Sequence, residues 1–230
     1  NILLEFTATL DNESAEIVSK YQNKVLFKYD LAQFRIDKYS KEINLIRSQY
    51  DEKERIIQAL LLNLYRQEIA TSNNINLKPV VLFKAKRTIA ESEKNKANFH
   101  KLVENLSVSA IERIEKTSTV SVVQKAISYF AAKEITHNEI VKRIQANFRY
   151  ENCLSANNDA EAEENQLLLN TLEDENNPIR AVFAVQKLNE GWDVLNLFDI
   201  VRLYEDRDGK DGKPGKTTLS EAQLIGRGAR

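Results

Sequence analysis

The 230-residue sequence contains no methionine and a single cysteine, Cys153. One cysteine cannot form a disulfide within the chain, which excludes a disulfide-stabilised secreted domain and favours a reducing compartment such as the cytoplasm. We expect Cys153 to be a small buried hydrophobe in a strand rather than a reactive thiol. The absence of methionine, including an initiator, predicts that the segment begins inside a longer protein.

Long apolar runs, an excess of one charge and clustered metal ligands are also missing from the sequence. No apolar stretch approaches the roughly 20 residues that span a bilayer, so we expect no membrane contact. The net charge of −1 creates no overall basic field, and any contact with nucleic acid must come from a local patch. The two histidines, His100 and His137, are isolated, and we expect surface residues rather than metal ligands.

The sequence does contain an alternation of helical and strand patterns. The clearest helix is predicted over residues 51–70, where apolar residues recur every three or four positions opposite charged ones. Strands are predicted over short apolar runs at 79–84, 152–156, 179–185 and 198–204. Further helices are predicted at 89–106, 119–133, 140–148 and 163–172. Such alternation predicts right-handed crossovers and a parallel sheet, hence an α/β fold.

Weaker patterns add detail at both ends of this core. Residues 24–29 are expected to form a short strand, and residues 1–10 the final strand of a preceding domain. Thr136 and Glu139 have the spacing of a capping box, in which hydroxyl and carboxylate satisfy free amides at a helix start.

A glycine- and lysine-rich stretch over residues 208–217 ends in Gly-Lys-Thr, like a phosphate-binding P-loop. That loop requires a glycine five positions before its Gly-Lys, but position 210 is lysine. Pro214 also removes an amide hydrogen that a phosphate cradle needs. We therefore predict a flexible surface loop, whose lysines could at most touch DNA phosphates. Without a P-loop or an Asp-Glu metal-binding motif, the chain cannot bind ATP and magnesium productively alone.

The most informative segment is 223–230, with the sequence Gln-Leu-Ile-Gly-Arg-Gly-Ala-Arg. Its two arginines, Arg227 and Arg230, lie three residues apart on what should be one face of a helix. A guanidinium keeps its charge and presents a planar fork of donors that matches phosphate oxygens. Two such groups can close on a single polyphosphate, although a solvated basic helix end has the same composition.

Two shorter motifs come earlier in the chain. The tripeptide 191–193, Gly-Trp-Asp, follows the predicted strand 179–185, and ligands of open α/β sheets bind just past the carboxyl ends of strands. Near the start, Thr7 and Thr9 present two hydroxyls separated by one alanine. Each motif is weak alone, because Thr-Ala-Thr occurs by chance and Gly-Trp-Asp is usually a turn.

In this order the three motifs resemble motifs III, V and VI of the superfamily-two helicases and translocases. The match is closer to one branch, the Res subunits of type III restriction enzymes, which carry Asn/Asp-Glu-Gly-Trp-Asp in motif V and Gln-Leu-Ile-Gly-Arg-Gly-Ala-Arg in motif VI. Residues 29–41 and 77–83 also look like stretches of that family. The resemblance runs in patches from residue 7 to residue 230, and motifs V and VI are its specific parts.

The resemblance implies a RecA-like fold, a parallel sheet flanked by helices that forms the second domain of a helicase motor. It divides the chain into the end of a first RecA-like domain (1–12), a linking segment with the amphipathic helix (13–75) and the second domain (76–230). A helical insertion is expected at about 107–150. ATP and Mg²⁺ would be held mainly by the first domain, upstream of this chain, and a cleavage domain would lie downstream.

The resemblance also assigns catalytic roles. Arg227 and Arg230 would reach the β- and γ-phosphates of ATP as arginine fingers, which are cationic side chains that stabilise the charge developing in phosphoryl transfer. Gln223 would fix the helix or the attacking water. Double-stranded DNA and the methyltransferase (Mod) subunit are the implied partners.

Other residues would bind the nucleotide or link it to DNA. Gly191, Asp193 and Gly226 would line the nucleotide cleft, and Thr7 and Thr9 would couple the γ-phosphate state to the DNA track. Contacts to DNA would go to phosphates, because a motor must be indifferent to sequence.

Our candidates for DNA contacts are Lys84, Lys86 and Arg87, after the strand that opens the second domain. Two alternatives stay open. The chain could belong to a DNA or RNA helicase of the same superfamily unconnected with restriction, or to a non-catalytic scaffold that retains a motor-like sheet.

Overall fold

The computed structural model describes most of the chain between residues 14 and 204 and a few residues outside it. The described residues are 3–6, 14–44, 46, 51–86, 88–157, 163–185, 194–204, 224, 225 and 228. Their helices are α1 (Ala15–Tyr21), α2 (Leu31–Ile36), α3 (Glu52–Ser72), α4 (Ile89–Glu104), α5 (Val108–Thr117), α6 (Ser121–Ala132), α7 (His137–Asn147) and α8 (Glu163–Asn170). Their strands are β1 (Val80–Lys84), β2 (Cys153–Ser155), β3 (Ala181–Ala184) and β4 (Leu197–Arg202).

The four strands form one sheet in the order β2-β3-β1-β4, and every neighbouring pair is parallel. The parallel α/β sheet predicted from the alternating pattern is therefore confirmed, with helices on both faces as in a RecA-like domain. The register of β1 and β4 shifts between Val80 and Val81, whose partners are Leu197 and Asp199. Phe198 is consequently an additional residue in β4, as in a β-bulge.

Alternate residues of the strands enter two separate apolar clusters. On one face Val81, Phe83 and Phe183 pack with side chains from α3, α4, α5, α6 and α7. On the other face Val80 and Leu82 pack with apolar residues of α8 and the segment after it. Because parallel strands are buried on both faces, their sequences read as continuous apolar runs, which is the pattern that located them.

Helix α3 is the longest helix among the described residues and lies against the sheet. Asp51 caps its start, since the Asp51 carboxylate accepts a hydrogen bond from the Glu54 amide at 2.8 Å. Its buried stripe packs on β1 and β4 and on the helices α5, α6 and α7. The amphipathic helix assigned to the linking segment thus shares one core with the sheet.

The capping box at the start of α7 is confirmed. The Thr136 amide donates to Glu139 Oε2 at 2.8 Å, and the Glu139 amide donates to Thr136 Oγ1 at 3.3 Å. Helices α4, α6 and α8 also fall where the sequence predicted them. Among the described helices, none is both long enough and apolar enough to cross a bilayer.

The strand predicted at residues 24–29 is wrong. This segment has no regular secondary structure between α1 and α2. Leu26 and Phe27 are 84% and 79% exposed, so among the described residues this apolar run has no packed face of the kind that a strand requires. Residues 3–6 are also irregular, and the rest of the strand expected over 1–10 lies outside the described residues.

Candidate functional site

Most of the predicted site residues lie outside the part of the chain that the structure describes. They are Thr7, Thr9, Arg87, Gly191, Asp193, Gln223, Gly226, Arg227 and Arg230. Their roles stay predictions. The described residues define the strands next to which several of these motifs lie in the sequence, and Lys84 and Lys86 are among the described residues.

Lys84 and Lys86 lie at the carboxyl end of β1, in the centre of the sheet. Lys84 is the last residue of the strand and only 7% exposed, and its carbonyl accepts a hydrogen bond from the Leu203 amide at 3.0 Å. Lys86 is half-buried, and its amide donates to Glu91 Oε1 at 3.5 Å. A phosphate could reach little of Lys84 in this arrangement, so Lys86 is the better placed of the two.

The same edge of the sheet carries polar groups that the sequence analysis did not single out. Asn157 follows β2, is 8% exposed and donates from Nδ2 to Glu93 Oε1 at 2.8 Å. Its Oδ1 is buried and has no hydrogen-bond partner among the described atoms. Thr88 caps α4 by accepting from the Glu91 amide at 3.2 Å. A polar residue directly after a buried strand was the signal that could have found Asn157.

The described residues of the 223–230 segment are helical and pack on the sheet. Leu224 is 9% exposed and belongs to the cluster that contains Val80 and Leu82. Gly228 approaches β4 so closely that a Cβ added to it would lie 3.4 Å from Leu197 Cδ2 and 3.7 Å from Ile200 Cδ1. Of this segment, Leu224 is thus packed in the apolar cluster of the sheet and Gly228 lies against β4.

Lys41, which is 187 residues away from Gly228 in the sequence, also contacts this segment. Its Nζ donates to the carbonyl oxygen of Gly228 at 2.9 Å and to that of Leu197 at 3.2 Å. The ammonium also lies 4.7 Å from the centroid of the Phe198 ring. Lys41 is the last residue of the 29–41 stretch that resembles the family, but its contacts are long-range and leave no local signal in the sequence.

An ion pair lies beside the same ring. Arg66 of α3 contacts Asp199 at 2.5 Å, and its guanidinium is 5.8 Å from the Phe198 centroid. Burial raises the pKa of Asp199, and the adjacent Arg66 opposes that rise. The Asp199 side chain is 12% exposed, so the pair is a partly buried link between α3 and β4.

A second buried cation lies at the opposite, amino-terminal edge of the sheet. Arg180 donates to Asn63 Oδ1 at 3.1 Å and to Gln67 Oε1 at 2.9 Å, both neutral amides of α3. Burial lowers the pKa of Arg180 to about 10. Ligands bind at the carboxyl edge in such sheets, so this arginine is part of the scaffold.

A cleft of about 400 Å³ lies beside β2, and the ring of His100 packs against Tyr150, which lines it. His100 is half-buried rather than a surface residue, since its ring lies 4.7 Å from that of Tyr150, which lines the cleft. Burial lowers the pKa of His100, with Lys96 adding to the effect. His137 lies 3.4 Å from Glu115. Across the described residues, no three His, Cys, Asp or Glu side chains are grouped as a metal site.

Cys153 is confirmed as a buried residue of a strand. It is 5% exposed in β2, and burial raises the pKa of its thiol to about 12. A thiol with this pKa is almost wholly protonated at neutral pH and is therefore a poor nucleophile.

Comparison with known proteins supports the resemblance read from the motifs. The chain is 39% identical over 239 aligned residues to a Haemophilus influenzae protein named "Probable type III restriction-modification enzyme HindVIP Res subunit". The alignment covers 94% of this chain and 46% of that protein, so the chain spans about half the length of the curated relative it matches. No protein-family model and no solved structure matches the chain.

An identity of this size over nearly the whole chain exceeds what a shared fold alone produces. The four-stranded parallel sheet is consistent with a RecA-like domain. The chain is therefore related by descent to part of a type III restriction-modification Res subunit.

Proposed function

We propose that the chain forms part of the ATP-dependent DNA translocase motor of a type III restriction enzyme, and that it completes an ATP site begun on another domain. The observation that carries the proposal is the 39% sequence identity to a Res subunit, in an alignment that covers 94% of this chain. The packing of Leu224 in the apolar cluster of the sheet and of Gly228 against β4 supports it, because an arginine finger works only from a rigid support.

In this proposal Arg227 and Arg230 bind the β- and γ-phosphates of ATP from across the domain interface. Their fixed charges stabilise the phosphoryl oxygens as hydrolysis proceeds. Gln223 holds the helix or orients the attacking water. Mg²⁺ and most of the nucleotide contacts belong to the first motor domain, outside this chain.

The remaining motif residues would connect the nucleotide to the DNA. Gly191, Asp193 and Gly226 line the cleft, and Thr7 and Thr9 report the γ-phosphate state to the DNA track. Domain closure with ATP and opening after hydrolysis would ratchet the protein along duplex DNA.

DNA binding in this proposal goes through phosphates, and sequence recognition belongs to the Mod subunit. Lys86 and Arg87 are the favoured contacts, and Lys84 is less accessible because it is only 7% exposed. Such contacts predict affinity that falls steeply with salt and does not depend on sequence.

The test is Arg227→Ala in the full Res subunit that carries this chain, assayed with its Mod partner. We expect DNA-stimulated ATP turnover to fall by about a thousandfold, because an arginine finger contributes about that much to kcat. Nucleotide binding should persist, since the first domain holds most of the ligand. Arg149→Ala, which removes an exposed arginine at the start of a short turn, is the matched control and should turn over ATP normally. Unchanged turnover in Arg227→Ala would remove this residue from the proposed role.

A further inference from the structure

We propose that Lys41 is a positioning residue for the arginine-bearing helix, which it fixes to the edge strand β4. The inference rests on the proposed function, in which Arg227 and Arg230 act on ATP. It assigns to Lys41 no contact with the nucleotide. Its role is to hold the Gly228 backbone, which lies between the two arginines in the sequence.

The ammonium of Lys41 connects three distant segments of the chain. Its two carbonyl partners, Leu197 and Gly228, are 156 and 187 residues away in the sequence. Lys41 itself is half-buried, and both hydrogen bonds are partly shielded from water. Charge-assisted hydrogen bonds in such a setting are stronger than neutral ones, so the link constrains where the helix sits on the strand.

The register shift in β4 forms the apolar surface next to which Gly228 lies. Because the register shifts at Phe198, Leu197 and Ile200 both contribute to the same apolar face, although they are three residues apart. Gly228 contacts these two side chains, and the backbone carbonyl of one of them accepts from Lys41. Packing and hydrogen bonding therefore act on the same short stretch of helix.

Phe198 supplies a third contact to the ammonium. Its ring centroid is 4.7 Å from Lys41 Nζ and 5.8 Å from the Arg66 guanidinium, and Arg66 is paired with Asp199 in the next position of the strand. A cation over an aromatic ring is attracted by the ring's electron density. The Lys41 head group is thus fixed by the ring and the two carbonyls together.

Such a support matters for catalysis because phosphoryl transfer depends on position. A misplacement of about 1 Å of a group that acts in the transition state costs about a hundredfold in rate. Loss of the Lys41 hydrogen bonds would allow the Gly228 backbone to move. The neighbouring arginines would then occupy a wider range of positions. The expected result is a lower kcat for ATP hydrolysis with little change in KM, since in this proposal the first domain makes most of the contacts to bound ATP before the reaction.

The experiment compares Lys41→Met, Lys41→Gln and Lys41→Arg in the full Res subunit with its Mod partner and DNA. Methionine keeps the apolar stem of lysine and removes every hydrogen-bond donor. Glutamine keeps an uncharged NH2 group as a donor and provides a second variant in case Lys41→Met fails to fold. We expect kcat to fall ten- to hundredfold in Lys41→Met, less in Lys41→Gln, and Lys41→Arg to recover most of the activity. Lys28→Met removes an exposed lysine of the same segment, whose side chain is 73% exposed, and should be normal.

A purely structural role for Lys41 is separated by combination with the loss of both arginines, Arg227→Ala and Arg230→Ala together. If Lys41 acts through these arginines, adding Lys41→Met to that variant should cause no further loss of kcat. Additive losses, a kcat for Lys41→Met within twofold of the parent, or a rise in KM alone would overturn the inference. Failure of Arg227→Ala to lower turnover would instead overturn the proposed function, so the two failures are distinguishable.

Discussion

Asn63 shows how a single buried amide fixes the core at the amino-terminal edge of the sheet. It is fully buried, donates from Nδ2 to the Pro79 carbonyl at 2.9 Å and accepts from Arg180 at 3.1 Å. The charged Arg180 side chain is buried in the core and donates hydrogen bonds there to the side-chain amides of Asn63 and Gln67. Removal of either amide would leave polar groups buried without full hydrogen bonding.

Asn63→Ala should therefore destabilise the protein by about 2–4 kcal/mol, because it leaves the Pro79 carbonyl unpaired and Arg180 with one partner fewer. Urea unfolding of the variant and parent would measure the difference. Asn76→Ala is the matched control, since Asn76 is exposed and donates to Glu175. Equal losses of stability in both variants would contradict this account of the buried amide.

Individual residues differ in how far the sequence predicts them. Cys153 was predictable because its neighbours form an apolar run, and the strand buries it as expected. Lys41 and Arg180 were not, since their partners lie far away in the sequence. His100 was expected at the surface but stacks on Tyr150, a contact that depends on how α4 packs beside β2.

At the scale of elements, the strong periodic patterns were the predictable ones. The stripe of α3, the capping box of α7, the three buried strands and the half-buried β4 all formed where expected. Helix α5 was not predicted as a separate element, because it is ten residues long and buries only Ile111 and Ile114. Helix α1 buries no residue, and its Ser14 cap is a weak local signal. The strand order also depends on long-range pairing that no local pattern contains.

The capping box of α7 predicts a pH dependence. Hydrogen bonds from the Thr136 amide and hydroxyl lower the pKa of Glu139 below its value in the unfolded chain, which is close to 4.5. The stabilisation is therefore fully present above that value and is lost as pH falls through the folded pKa. Glu139→Ala should lower the Tm at pH 7, and the gap from the parent should narrow towards pH 3.

The control for this prediction is Glu104→Ala, which removes an exposed glutamate from the last residue of α4. Thermal unfolding followed by circular dichroism at several pH values would compare the three proteins. A Tm difference for Glu139→Ala that stayed constant from pH 7 to pH 3 would show that the carboxylate plays no part in the cap.

At the scale of the whole molecule, four parallel strands bring the ends of separated segments to one edge of a sheet. The strands β1 and β2 end there in Lys84 and Ser155, and the 191–193 motif follows the strand β3 in sequence. Helices pack on both faces of the sheet, and Leu224 and Gly228 of the 223–230 segment lie against it. This arrangement suits a domain that presents fixed charges to a ligand held by a partner domain.

The most direct measurement is a structure of the full Res subunit with a non-hydrolysable ATP analogue and Mg²⁺. We predict that the guanidiniums of Arg227 and Arg230 lie about 3 Å from β- or γ-phosphate oxygens, within hydrogen-bonding distance. The Lys41 link to Gly228 should be intact in the same structure. Guanidiniums that are paired with carboxylates elsewhere, or that point away from the nucleotide, would contradict the account.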